Sequence, residues 1–320
     1  MSKKTKIWLV IAAFLVVIGL ILSAAAMTAY GWNFSKLCTT KYETNTHEVK
    51  ESFSKISINT DTADIFFIRS ENGQSKVVCN EPENLKHSVF VQDGTLSITE
   101  VDDREWHEYI GISTGTPKIT IFLPESAYDT LSITESTGDI HVPKDFKFSG
   151  IDISTSTGDV KNAASSSGLM KIKASTGDIN IDGISAGSID LAVSTGKVTV
   201  SDVTCDGDLK IRVSSGKTNL TDVTCKNVIT SGSTGDISLN NVIATEKFFI
   251  ERSTGDVTFD ACAAAEIFTQ TDTGDVTGSL LYDKVFIIQT DTGSVDVPHS
   301  MSGGKCEIIT NTGDIKITKG

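Results

Sequence analysis

A four-residue word, Ser-Thr-Gly-Asp, recurs along the chain at near-constant spacing. It stands at 136–139, 156–159, 175–178, 233–236 and 253–256. Variants at 194 (STGK), 214 (SSGK), 272 (DTGD), 291 (DTGS) and 311 (NTGD) keep the same frame. The frame defines Gly138, Gly158, Gly177, Gly196, Gly216, Gly235, Gly255, Gly274, Gly293 and Gly313, always 19 or 20 residues apart. A fixed period of that length marks a solenoid, in which each repeat is one coil that buries its core only against its neighbours.

Aligning the glycines at position zero resolves two strands per coil. Positions −7 and −5 are apolar in most coils, from Leu131 and Ile133 through Phe248 and Ile250 to Cys306 and Ile308. Positions +2 and +4 repeat the pattern, as in Ile140 and Val142, Ile179 and Ile181, and Ile315 and Ile317. Alternation of period two is that of a strand with one face in a core. Apolar residues at +7 (Ile184, Val203, Val223, Val242) predict a short third side. The expectation is an all-β, parallel β-solenoid with 19–20-residue coils over 131–320. Residues 51–130 read as its atypical N-terminal coils, with Ala63 in the glycine's place, a tight turn at Asp93-Gly94 and an irregular insertion at 102–116 that carries Trp106, His107 and Tyr109.

The glycine of the repeated turn supplies a positive φ at a corner, and the flanking Ser, Thr and Asp are suited to bonding nearby backbone. The +1 column is mostly aspartate, so either turn amides hold these carboxylates or the column attracts cations. Asp236, Asp256 and Asp275 are the metal candidates, although Lys197 and Lys217 interrupt the column. At −6, an outward position, the early coils carry Ser132, Asp152, Lys171, Asp190 and Lys210, whereas later ones carry Ile229, Phe249, Phe268 and Ile287. A contiguous exposed apolar strip is an interaction surface unless something covers it, so these four join Trp106 and Tyr109 as interaction candidates. The last strand, Ile315–Thr318, ends close to the last residue, which makes the C-terminal coil an expected open edge for self-association.

At the other end, Lys3, Lys4 and Lys6 precede an uncharged, mainly apolar run over 7–27. As a helix it spans about 32 Å and fits a hydrocarbon core of about 30 Å. Residues 1–27 therefore read as a cytoplasmic lysine cluster and a transmembrane anchor, with a cleaved signal ending near Ala24-Ala25-Ala26 as the alternative. Lysines on the leading side place the remainder outside the cytoplasm, and 28–50 reads as a juxtamembrane linker. The chain carries a net −13, and no basic footprint for nucleic acid is visible. Cys205 and Cys225, one coil apart at the same template position, are disulfide candidates. His47, His87, His107, His141 and His299 fall in no triad or zinc motif. No catalytic residue and no cofactor is expected.

The N-terminal anchor, the NTDTADI opening, the KHSVFVQDGTLSI segment and the serial STGDI/STGDV repeats together resemble the bacterial putative-adhesin family of uncharacterised β-strand-repeat envelope proteins. The resemblance implies a right-handed solenoid exposed at a bacterial envelope, with a surface protein or glycan as partner. An adhesin-like interaction or structural module is the leading expectation. An accessory role in envelope-stress sensing comes second, and a glycan-active β-helix enzyme third.

Overall fold

The computed structural model describes residues 2–29, 31–32, 40–102, 104 and 115–320. Trp106, His107 and Tyr109 lie outside the described residues. Two compact units are present. The first contains residues 1–43, 82–85 and 102–115. Its main element is a helix, Lys3–Ala29, 27 residues long and with no buried residue. The helix is long and apolar enough to cross a membrane.

The second unit, residues 44–81, 86–101 and 116–320, is a parallel β-solenoid. Residues at one template position lie in register on neighbouring coils, as in Ile133–Ile153–Ile172–Leu191–Ile211. The inward positions of both strands make one continuous core: Ile140, Ile172, Ile179, Leu191, Val200, Leu239, Phe248 and Ile315 are each at most 1% exposed. The third side is real in the middle coils, where single strands such as Ile179–Thr195 and Ile237–Thr254 run around two corners.

The glycine corners follow the expected logic with an added constraint. All ten have positive φ, between 120° and 157°. A Cβ on Gly158 would also lie 1.8 Å from the carbonyl oxygen of Gly138, and one on Gly216 would lie 1.9 Å from that of Gly196. Each corner thus excludes a side chain twice, by its own conformation and by the carbonyl of the coil beneath. Ala63 is spared the first of these, since it is not a positive-φ residue; beside it Asp64 N–H donates to Pro117 O (2.8 Å).

Spatial order departs from sequence order at both ends. The coil of Ala63, with strands Lys55–Thr62 and Asp64–Arg69, lies between the Gly138 coil and the later coil formed by Thr95–Asp102 and Lys118–Leu123. Strand Ser75–Pro82 then pairs antiparallel with Lys118–Leu123, and the Asp93-Gly94 turn has positive φ at both residues, as a two-residue hairpin turn requires. At the far end the Gly313 coil is inserted between the Gly274 and Gly293 coils. Ile315 and Ile317 are buried, while Ile287 and Val295 are each 49% exposed.

The expected open edge at the C-terminal coil is therefore corrected: the outermost coil is that of Gly293. It contains Pro298, which lacks a ladder donor and is tolerated only where no further coil needs one. Lys284 secures the exchange. It lies in register with Gly304, and its ammonium passes across that glycine to the carbonyls of Ala264 and Ala265, the latter at 3.0 Å. A Cβ on Gly304 would meet Ala265 O at 1.8 Å and Lys284 Nζ at 3.2 Å. Burial lowers the Lys284 pKa.

Candidate functional site

The repeated aspartates form a ladder of backbone hydrogen bonds. Asp159 N–H donates to Asp139 Oδ1 (2.8 Å), Asp178 N–H to Asp159 Oδ1 (2.8 Å), and Lys197 N–H to Asp178 Oδ1 (2.7 Å). Lys197 has no carboxylate to offer the next coil, and the ladder resumes beyond Lys217. There the Oδ1 atoms of Asp236, Asp256 and Asp275 accept from the amides of Asp256 (3.3 Å), Asp275 (2.8 Å) and Asp314 (2.7 Å). Asp236 Oδ2 also meets Lys217 Nζ at 3.0 Å; that bond, then the Asp256 amide, lowers its pKa. Amides thus hold the column. Among the described residues these aspartates do not join any His/Cys/Asp/Glu group close enough to share an ion.

The outward −6 column divides in two. Toward the N-terminal end it is charged: Lys171 Nζ reaches Asp152 (3.2 Å), and Arg212 reaches Asp190 (2.6 Å). Toward the other end Ile229, Phe249 and Phe268 are register neighbours. The two phenyl rings stack at 5.0 Å between centroids with 18° between planes, and Lys247 Nζ lies 6.0 Å from the Phe249 centroid. All three apolar residues are partly buried, with their outer faces still accessible. The expected fourth member does not adjoin them. Because of the coil exchange, Phe268 and Ile287 each pair with Glu307, so a carboxylate separates Ile287 from the strip. Ile287 belongs instead to the open end, with Val285 (38% exposed), Val295 and Tyr282 (65%).

Cys205 and Cys225 are free thiols, which corrects the disulfide candidate. In-register residues on parallel strands point their Cβ atoms side by side instead of toward each other, and a disulfide needs convergence. Their Sγ atoms instead donate to Asp208 O (3.7 Å) and Asn227 O (3.4 Å). A groove of about 520 Å³ opens nearby, lined by Ser149, Ser165, Ser166, Ser185 and Asp206 among others. Ser166 Oγ is buried there without a partner.

Two polar features inside the stack were not legible from residue types alone. Arg252 is 3% exposed, and its Nη1 donates to Val213 O at 2.8 Å across Gly232, where a Cβ would lie 2.1 Å from the guanidinium. Burial lowers its pKa. Near the other end His87 is buried between Glu81, which its Nδ1 meets at 2.7 Å, and Thr60, which its Nε2 meets at 2.8 Å. The i, i+2 spacing of Cys79 and Glu81 puts both on one face of a strand; that was the available signal for a cluster here.

These features define a structural class, a regular β-solenoid whose distinctive surfaces are an apolar strip and an open terminal coil. The chain belongs to the Toastrack DUF4097 family, whose profile matches residues 53–224 and again 219–320. No functionally curated protein matches the sequence. Among solved structures, a putative adhesin from Bacteroides fragilis aligns over 87% of this chain and 97% of its own, at 17% identity and a TM-score of 0.42. A putative lipid binding protein from Parabacteroides distasonis aligns over 86% and 97%, at 16% identity and a TM-score of 0.45. A putative adhesin from the same organism aligns over 87% and 98%, at 12% identity and a TM-score of 0.44.

Proposed function

We propose that this protein is a membrane-anchored, extracytoplasmic interaction module of a bacterial envelope, adhesin-like and non-catalytic. The observation that carries the proposal is the stacked Phe249–Phe268 pair beside Ile229 on an outward column. An outward position in a solenoid has no folding role that requires three large apolar side chains, because the core is already complete on the other face. Aromatic residues held rigid by stacking give contact area at low entropic cost and are common anchors at interfaces. Lys247 and Glu307 at the margins supply a polar rim.

The test is capture of envelope components by the purified full-length chain in detergent, compared with the Phe249→Ser/Phe268→Ser double variant. The proposal expects capture by the wild type to fall at least tenfold in the variant. Equal capture would refute the strip as the site. Anchoring through residues 7–27 predicts that the mature membrane-bound chain retains them by intact mass, and a chain beginning after Ala26 would refute it. Self-association is assigned to the open Gly293 coil, where Ile287→Asp should dissociate any oligomer seen by sedimentation. An unchanged oligomer would remove that surface.

A further inference from the structure

Strand Tyr42–Val49 pairs with strand Ser75–Pro82 beside the outermost N-terminal coil. The pairing brings His47 to Cys79 and Glu81. One ligand atom from each of the three, an imidazole nitrogen, a thiol sulfur and a carboxylate oxygen, lies within 4.8 Å of the other two. Cys79 is fully buried and Glu81 is 1% exposed. His47 Nε2 is buried without any hydrogen-bond partner. A desolvated imidazole nitrogen with nothing to bond is unfavourable, and the ring that carries it lies beside a thiol and a carboxylate, a donor set that a cation would complete.

The donor chemistry narrows the cation. Nitrogen, sulfur and oxygen together suit a borderline transition ion and not the all-oxygen preference of calcium or magnesium. The carboxylate is oriented in the way a ligand's outer partners orient it. Asn45 Nδ2 donates to Glu81 Oε1 at 2.8 Å, and the His87 amide donates to Oε2 at 2.8 Å. Ligand atoms around a tetrahedral zinc ion lie about 3.5 Å apart, so the cluster needs a contraction of at most about 1.3 Å. Coordination takes the thiolate, so metal binding at Cys79 would release a proton.

We propose that His47, Cys79 and Glu81 form a binding site for a divalent transition ion of the zinc class, with three protein ligands and a fourth position for water or an incoming donor. Bound there, the ion would pin the first strand of the solenoid unit to the strand that caps its end.

The experiment is cobalt(II) titration of metal-stripped, full-length protein in detergent near neutral pH. The site predicts one cobalt per chain, a thiolate-to-cobalt charge-transfer band in the near ultraviolet, visible bands of four-coordinate intensity, and displacement of all of these by zinc. Cys79→Ser should abolish the charge-transfer band, and His47→Gln should weaken binding at least tenfold. His47 is only partly buried, so its variant tests the site even if Cys79→Ser does not fold. Absence of the band in the wild type would overturn the proposal. So would a band that survives in Cys79→Ser, which would belong to another cysteine, or an affinity unchanged in His47→Gln.

Discussion

Replacing Gly216 by alanine should be among the most damaging single-methyl changes this chain can undergo. The new Cβ would lie 1.9 Å from Gly196 O at a φ of 141°. The conformation alone costs about 1–3 kcal/mol for a residue with a side chain. The overlap cannot be relieved by a rotamer, because a methyl has none and its obstacle is backbone. Relief requires parting the two coils, which stretches the bonds from Gly196 N–H to Ser215 O (3.0 Å) and from Val198 N–H to Lys217 O (2.9 Å). At about 1 kcal/mol each, the total reaches roughly 3–5 kcal/mol. Gly183 is the internal control: its φ is also positive, at 65°, but a Cβ there meets nothing within 4 Å, so Gly183→Ala should cost only about 1–2 kcal/mol. Urea unfolding of the full-length chain followed by circular dichroism measures both. Because stability in a stack is a sum of neighbour terms, Gly216→Ala should also broaden the transition as the two halves uncouple. Equal midpoints for the two variants would refute the claim that carbonyl stacking, rather than φ alone, dictates the glycine column.

Two further predictions concern buried charge. Glu135 is 3% exposed, and burial, then the Asp64 charge, raises its pKa to about 8. A carboxyl whose folded pKa lies above its unfolded value adds stability below pH of about 4.5 and loses it as pH rises toward 8. Wild-type thermal midpoints should fall across that window and those of Glu135→Gln should stay level, a difference of several kcal/mol at most at about 1.4 kcal/mol per unit; parallel profiles would contradict it. Gly232→Ala should displace the Arg252 guanidinium from Val213 O and cost about 2–4 kcal/mol, whereas Arg252→Met, which removes the buried charge, should stay within about 1 kcal/mol in the same unfolding assay.

Much of the fold was legible because a solenoid writes its geometry into its period. The glycine column, the −7/−5 and +2/+4 core positions and the Asp93-Gly94 turn each report a local requirement of the backbone. The exchange of coils at the far end was not legible, since the intervals from Gly274 to Gly293 and from Gly293 to Gly313 are as regular as the rest. Its traces were Pro298 and the Gly303-Gly304 pair, neither of which disturbs the spacing. The same blind spot joined Ile287 to the apolar strip that Glu307 interrupts. His47, Cys79 and Glu81 escaped notice because the pairing that assembles them lies outside the repeat.

The exchanged ends also govern how a molecule of this design changes length. Coils from Gly138 to Gly274 follow one another in both sequence and space, so adding or deleting a 19- or 20-residue repeat among them alters the stack by one layer of about 4.8 Å and leaves both ends untouched. Adding a repeat after Gly313 has no such freedom, because the Gly313 coil is enclosed and the outermost position is already taken by an earlier segment. The interior is therefore the adjustable part and the ends are fixed fittings, which makes the distance between the two end surfaces a quantity that whole repeats can set in steps.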